Sequence, residues 1–137
     1  MLLKRWFLIL CLLLVSSVTL HAQTECSDLS SAEDYAARAD TAFDQKLYED
    51  AVLDYTCAIQ LAPDMPDYYN SRGNAYYWLQ RDAEANADYQ KVLELDPEAG
   101  YAYNNIANLY ANIGDYPQAV EYYTKALTSD SSTHEIV

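Results

Sequence analysis

The sequence predicts an all-α fold, a solenoid of three stacked helix-turn-helix units. Two observations predict it: small and aromatic residues recur every 34 residues, and within each unit the apolar residues follow helical spacing. A fixed period of this kind is typical of arrays whose units bury one continuous core by stacking. The recurring series are Tyr35, Tyr69 and Tyr103; Ala51, Ala85 and Ala119; Tyr55, Tyr89 and Tyr123; and Ala58, Val92 and Ala126.

The N-terminal residues 1–22 predict a signal peptide. Two basic residues precede an apolar run over 6–15, which is the order found in secretory signals. An uncleaved membrane anchor is the alternative, and length argues against it, because a bilayer span needs about 20 apolar residues. We expect cleavage after Ala22 and a secreted or periplasmic protein that leaves the membrane.

Six amphipathic helices follow, two in each unit. The breaks between them carry turn chemistry, since Gly114 ends one helix and Asp115 caps the next. Ser30 and Glu33 match a capping box, which starts the first helix near Ser31. The predicted helices cover 32–45, 48–61, 66–79, 82–95, 100–113 and 116–129.

Three segments resemble the tetratricopeptide repeat (TPR) family: Gly73–Tyr77, Lys91–Pro97 and Gly114–Ala119. The resemblance implies a right-handed superhelical solenoid whose first helices line a concave face, where an extended peptide or a helix of a partner binds. The predicted repeats are 32–65, 66–99 and 100–133, between an N-terminal extension at 23–31 and a C-terminal tail at 134–137.

The chain departs from the family pattern at several positions, among them Ser131, which replaces the last proline. Arg38 and Arg72 stand where an aliphatic residue is usual, and we expect their stems to lie along the core while their charged groups pair with nearby carboxylates. Lys46 and Gln80 replace the turn glycine that the third repeat keeps as Gly114.

The concave face implied by the resemblance is rich in asparagine. Because an amide side chain both donates and accepts hydrogen bonds, a row of them can bind an extended backbone of any sequence. Aromatic residues beside the row would act as apolar anchors. The alternative is that the asparagines cap or bridge neighbouring helices. The candidate groove residues are Asn70, Asn74, Tyr77, Trp78, Tyr101, Asn104, Asn105, Asn108 and Asn112.

Charge narrows the class of partner. Without residues 1–22 the chain keeps 6 Lys and Arg against 21 Asp and Glu, a net charge of −15, which repels nucleic acid and anionic membranes. Chaperone-binding members of the family hold a terminal carboxylate with basic residues, and the matching positions here carry none. We therefore expect neutral or basic segments to bind better than acidic ones. Those positions are Ala36, Asp40, Ser71, Tyr101 and Asn105.

No pattern in the chain indicates catalysis, a cofactor or a metal. The sequence has no glycine-rich phosphate loop and no paired histidines, so we expect a non-catalytic protein-protein interaction module. Two acidic clusters fit solvated helix surface better than calcium sites. They are Glu49, Asp50 and Asp54, and Asp82, Glu84 and Asp88.

Cys26 and Cys57 are expected to form a disulfide in an exported chain. Closing the loop between them would stabilise the fold by about 3–4 kcal/mol in the chain-entropy treatment. The alternative is that Cys57 is a buried small apolar residue and that Cys26 lies in a frayed terminus.

The last helix carries a second functional hypothesis. Val120, Tyr123 and Leu127 form an apolar strip, and we expect it to stay partly uncovered because the segment 129–137 is too short and too polar for a capping helix. The alternative function is therefore a small oligomerising scaffold in an exported assembly, associating through this strip.

Overall fold

A computed structural model describes Cys26 and residues 28–131. These residues contain six helices and no strand, and the helices belong to one compact unit that begins at Ser31. The signal peptide predicted at 1–22 and the tail at 134–137 lie outside the described residues. None of the described helices combines the length and the apolar character that a membrane span requires.

The helices form three consecutive hairpins, so the predicted all-α fold is confirmed. Each helix packs against the next one along the chain, both within a hairpin and between hairpins. Every bound lies within two residues of the prediction. The helices are α1 Ala32–Asp44, α2 Tyr48–Leu61, α3 Pro66–Trp78, α4 Asp82–Leu95, α5 Gly100–Asn112 and α6 Tyr116–Ser131.

Capping side chains begin α1 and α6. The Oγ of Ser31 accepts a hydrogen bond from the backbone N–H of Asp34 at 3.1 Å, so the predicted capping box at Ser30 is wrong by one residue. Because α1 begins at Ala32, the N-cap is Ser31, whose side chain accepts from the third residue of the helix. At α6 the prediction is confirmed, because Asp115 Oδ1 accepts from the backbone N–H of Gln118 at 3.3 Å.

The turn inside each hairpin uses a left-handed residue at the same position. The φ angles are 61° at Lys46, 59° at Gln80 and 81° at Gly114. A side chain in this region is strained, since its Cβ crowds the backbone, whereas glycine adopts it freely. The first two turns therefore keep the conformation of a glycine turn without the glycine.

The two helices of a hairpin approach each other closely at one small residue. A Cβ added to Gly73 would lie 2.6 Å from Cε1 of Tyr89, closer than two carbon atoms normally sit. Ala39 and Ala107, at the matching positions, have no exposed surface. Small side chains here set the distance between the helices, as the 34-residue series predicts.

A bidentate ion pair joins the two helices within the first hairpin, and another joins the two helices within the second. Arg72 donates from Nε and Nη2 to the two carboxylate oxygens of Asp88, at 2.8 and 2.7 Å. Arg38 binds Asp54 in the same way. Burial pulls the pKa of Arg72 down, but the hydrogen bond and charge of Asp88 outweigh it and the pKa is raised. The expected pairing of both arginines is confirmed.

The third hairpin replaces the ion pair by an apolar contact. Ile106 and Tyr122 occupy the matching positions and belong to one apolar cluster. Ile106 is fully buried, and Tyr122 stacks on Tyr110 with ring centroids 5.4 Å apart. The hairpin geometry thus accepts either an arginine with aspartate or an aliphatic residue with tyrosine.

Cys57, on α2, is buried. It is disulfide-bonded, as is Cys26. That these two cysteines form one bridge with each other stays a prediction.

Glycine at the two strained turns is expected to stabilise the fold. Lys46→Gly and Gln80→Gly should each raise the free energy of unfolding by about 0.5–1 kcal/mol, because the strain is relieved. Gly114→Ala is the matched control and should lower it by about 1 kcal/mol, since nothing lies within 4 Å of the new Cβ. Urea unfolding followed by circular dichroism measures all three. Unchanged stability of Gly114→Ala would contradict the left-handed turn.

Arg72→Ile is expected to lower the free energy of unfolding by about 3–5 kcal/mol, because it strands the charge of Asp88, whose side chain is 7% exposed. The double change Arg72→Ile with Asp88→Tyr copies the third hairpin and should recover most of that loss. The same unfolding measurement on the single and double variants gives their coupling. Additive losses would show that the two side chains do not act as a pair.

Candidate functional site

Several predicted groove residues bind each other across α3 and α5. Nδ2 of Asn105 donates to Oδ1 of Asn70 at 2.9 Å and to Oδ1 of Asn74 at 3.4 Å. Nδ2 of Asn112 donates to the hydroxyl of Tyr77 at 2.7 Å. These side chains therefore bridge neighbouring helices, which was the alternative to peptide binding.

Tyrosines of the second helices donate hydrogen bonds to side-chain oxygens of the first helices, one a carboxylate and two amides. Burial raises the pKa of the Tyr89 hydroxyl. The pKa of the Tyr55 hydroxyl is raised mainly by burial and secondly by the hydrogen bond to Asp40. Both hydroxyls therefore stay protonated and act as donors. Each bond joins residues 15 apart, and the pairs are Tyr55 with Asp40 at 2.6 Å, Tyr89 with Asn74 at 2.9 Å and Tyr123 with Asn108 at 2.6 Å.

A rigid aromatic cluster lies beside this network. Trp78 is 58% exposed, stacks on Tyr48 at 5.9 Å and meets the edge of Tyr77 at 5.9 Å. Phe43 packs edge-on against Tyr48 at 5.3 Å. The cluster borders a groove of about 160 Å³, which we call the α3–α5 groove. Its lining residues are Asn74, Tyr77, Trp78, Tyr89, Asn105 and Asn108.

Tyr101 and Asn104, predicted for the same groove, lie elsewhere. They line a groove of about 640 Å³ on the last hairpin, which we call the end groove. Leu127 and Tyr123, from the predicted association strip, line it too; Leu127 is 72% exposed and Tyr123 half-buried. Val120 is 63% exposed but lies outside it. The other lining residues are Asp96, Glu98, Ala99, Gly100 and Ala126.

The described residues contain few basic side chains, and most of these form ion pairs. The described residues contain six Lys and Arg, and five of them form ion pairs with carboxylates of the same chain. Among the residues that line the two grooves, none is basic. A carboxylate bound there would meet no counter-charge. The five engaged residues are Arg38, Arg72, Arg81, Lys91 and Lys125.

The acidic clusters are less solvated than the sequence predicts. Asp54 and Asp88 are buried in their ion pairs, so assigning them to solvated helix surface is wrong. Glu84 binds Arg81 at 2.8 Å. Within the described part of the chain, no group of three or more His, Cys, Asp or Glu side chains is arranged to hold a metal ion.

Family models match most of the helical region. Models described as tetratricopeptide repeat match residues 66–99 and 100–132, and a model described as TPR repeat matches residues 39–80. The chain belongs to the tetratricopeptide repeat family. Tetratricopeptide repeats are a protein-interaction fold, which agrees with the expected class of function.

A curated relative and several solved structures are similar to this TPR chain. Small glutamine-rich tetratricopeptide repeat-containing protein 2 of Mycosarcoma maydis is 32% identical over 105 residues, covering 77% of this chain. The match covers 30% of that protein, so the chain spans less than a third of its length.

Among solved structures, MamA is 26% identical with a TM-score of 0.74, covering 77% of this chain and 62% of that one. The TPR2B domain of yeast Sti1, in a complex with pHsp70, is 31% identical with a TM-score of 0.70, covering 74% and 81%. The Sgt2 TPR domain from Aspergillus fumigatus is 25% identical with a TM-score of 0.68, covering 73% and 66%.

Sequence reasoning missed the hydrogen bonds from tyrosines to Asp40, Asn74 and Asn108 and the role of Tyr48 in the aromatic cluster. The first had a signal: Asp40, Asn74 and Asn108 share the 34-residue period, and each precedes a periodic tyrosine by 15 residues. The second had only a partial signal, because Tyr116 matches Tyr48 in the third repeat but Asp82 replaces it in the second and interrupts the series.

Alanine variants of two neighbouring asparagines of α5 distinguish an asparagine that bridges helices from one that does not. Asn105→Ala should lower the free energy of unfolding by about 1 kcal/mol, because two amide contacts between TPR helices are lost. Asn104→Ala should change it by less than about 0.5 kcal/mol, since Asn104 is exposed and makes no side-chain hydrogen bond with the rest of the described chain. Urea unfolding of both variants measures this. Equal losses would contradict the bridge.

Proposed function

We propose that the chain is a non-catalytic protein-protein interaction module that holds a neutral or basic segment of a partner protein in the α3–α5 groove. The observation that carries the proposal is Trp78, an exposed aromatic ring fixed between Tyr48 and Tyr77 beside a row of amides. Rigid exposed aromatic side chains are the residues that most often carry binding energy. Residues 1–22 support the further proposal that the protein acts after export.

The hydrogen-bonding groups of the groove suit an extended backbone. The oxygens of Asn74 and Asn108 accept from tyrosines, while their NH₂ groups make no hydrogen bond with another described residue. Those NH₂ groups are left to donate to carbonyls of a partner. The groove therefore offers donors for backbone carbonyls and Trp78 for an apolar side chain.

Similar proteins support binding of a peptide, and the charges indicate which kind. The TPR2B domain of yeast Sti1 is solved in a complex with pHsp70. In the present chain the groove lacks basic residues, and the whole chain has a net charge of −13. Association with a basic segment is favoured and with an acidic one opposed, more strongly at low salt.

Two labelled probe peptides test the proposal on the purified full chain. They share the same apolar residues; one carries three lysines and an amidated C-terminus, the other three glutamates and a free carboxylate. Fluorescence anisotropy at low salt should show at least about tenfold tighter binding of the lysine peptide. Trp78→Ala should weaken that binding about tenfold, whereas Leu53→Ala, an exposed control on α2, should leave it unchanged.

Tighter binding of the glutamate peptide would overturn the charge preference. Equal effects of Trp78→Ala and Leu53→Ala would overturn the assignment of the groove. Circular dichroism melts of both variants verify that each remains folded.

An oligomerising scaffold is the second candidate function. Val120 and Leu127 support it, being 63% and 72% exposed on α6, and exposed apolar strips of this kind favour association. Light scattering at about 100 μM chain decides it: a dimer that Val120→Asp dissociates supports the scaffold, and a monomer argues against it.

A further inference from the structure

We propose that the end groove is a docking site for an uncharged or basic amphipathic helix of a partner protein. The helix would lie on α5 and α6 as α5 itself lies on α3 and α4. The end groove and the α3–α5 groove have different lining residues, although Asn108 of the α3–α5 groove also belongs to the acceptor pair described below, and the inference goes beyond the proposed function. It rests on the 34-residue repeat. We call the surface of α3 and α4 on which α5 packs the seat of α5, and the end groove is the matching surface one repeat later.

The polar contacts of that seat recur at the end groove. Where α5 lies on the second hairpin, Asn105 donates to the oxygens of Asn70 and Asn74. Asn104 and Asn108 follow these two acceptors by 34 residues. Asn108 keeps the same tyrosine bond as Asn74, so its oxygen has the same anchor. The last hairpin therefore offers the acceptor pair again, with Asn104 lining the end groove.

The apolar floor recurs as well. Val92 is fully buried in a cluster with Ala99 and Ala102 at the start of α5, and Leu93 packs against that cluster. The residues 34 positions later, Ala126 and Leu127, line the end groove. Leu127 is 72% exposed, whereas Leu93 is half-buried. A helix on this floor would bury the apolar surface that α5 buries on α4.

The chemistry of the occupant follows from what α5 presents. Its sequence, GYAYNNIANLYAN, contains no charged residue. The end groove is more acidic than the seat of α5, because Asp96 and Glu98 stand where Ala62 and Asp64 precede α3. An uncharged helix fits, and one with basic residues facing these carboxylates fits better.

A second copy of the chain fits less well. The helix that would enter the end groove in a head-to-tail stack is α1, and it carries Thr41 where α5 carries Leu109. Leu109 lies in the buried cluster of α5, so threonine there would remove apolar contact. Two copies would also each bring a net charge of −13, which opposes their association.

A peptide that copies residues 99–113, extended by two lysines, serves as the probe. Labelled with a fluorophore and titrated with the purified full chain, it should bind saturably. Leu127→Asp should weaken binding at least about tenfold, because it places a charge on the apolar floor. Tyr116→Asp is the matched control: it is on the same helix, is 67% exposed and lies outside the end groove, so binding should not change.

A second peptide, with aspartate in place of the asparagine copied from Asn105, should bind at least about tenfold more weakly, because a carboxylate cannot donate to Asn104 or Asn108. Absence of saturable binding, or equal weakening by Tyr116→Asp and Leu127→Asp, overturns the proposal. So does a dimer of the free chain that Leu127→Asp dissociates, which would assign the end groove to a second copy. Trp78→Ala should leave this probe unaffected, which keeps the test independent of the α3–α5 groove.

Discussion

The structure depends on the close approach of the two helices in each hairpin. At Gly73 the facing ring of Tyr89 leaves no room for a Cβ, and the hydroxyl of the same tyrosine donates to Asn74, the next residue. One tyrosine thus fills the space between the helices and fixes their register with a hydrogen bond. This hydrogen bond joins residues 15 apart and recurs every 34 residues. The three hairpins therefore share one arrangement of their two helices.

This constraint explains what varies between the hairpins and what does not. The ion pair of Arg72 with Asp88 gives way to Ile106 with Tyr122 at the matching positions without a change of architecture, and in both hairpins the tyrosine bond to the first helix is kept. The turn residue varies in the same manner: Lys46 and Gln80 adopt the conformation of Gly114 at the cost of strain. Packing determines the backbone, and local preference yields to it.

The bounds of the helices could be predicted closely because apolar residues that are buried on one side of a helix recur at helical spacing, and Ile106 and Ala107 are examples of such buried residues. The pairing of Arg72 was predictable too, since a buried guanidinium requires a carboxylate. The roles of the asparagines were not. Whether Asn105 binds a partner or Asn70 depends on the distance between helices of neighbouring hairpins, 35 residues apart, which helical spacing does not report. The sequence also placed Asn104 with Trp78, whereas the fold puts them at separate grooves.

The central claim is that a partner segment lies against Trp78 and the amides beside it. NMR tests this most directly, by recording ¹H–¹⁵N spectra of the full chain while the lysine-bearing probe is added. The account predicts that the indole N–H of Trp78 and the side-chain amide of Asn108 shift and saturate together. Shifts confined to the groove lined by Asn86, Tyr110 and Ile113 would contradict it.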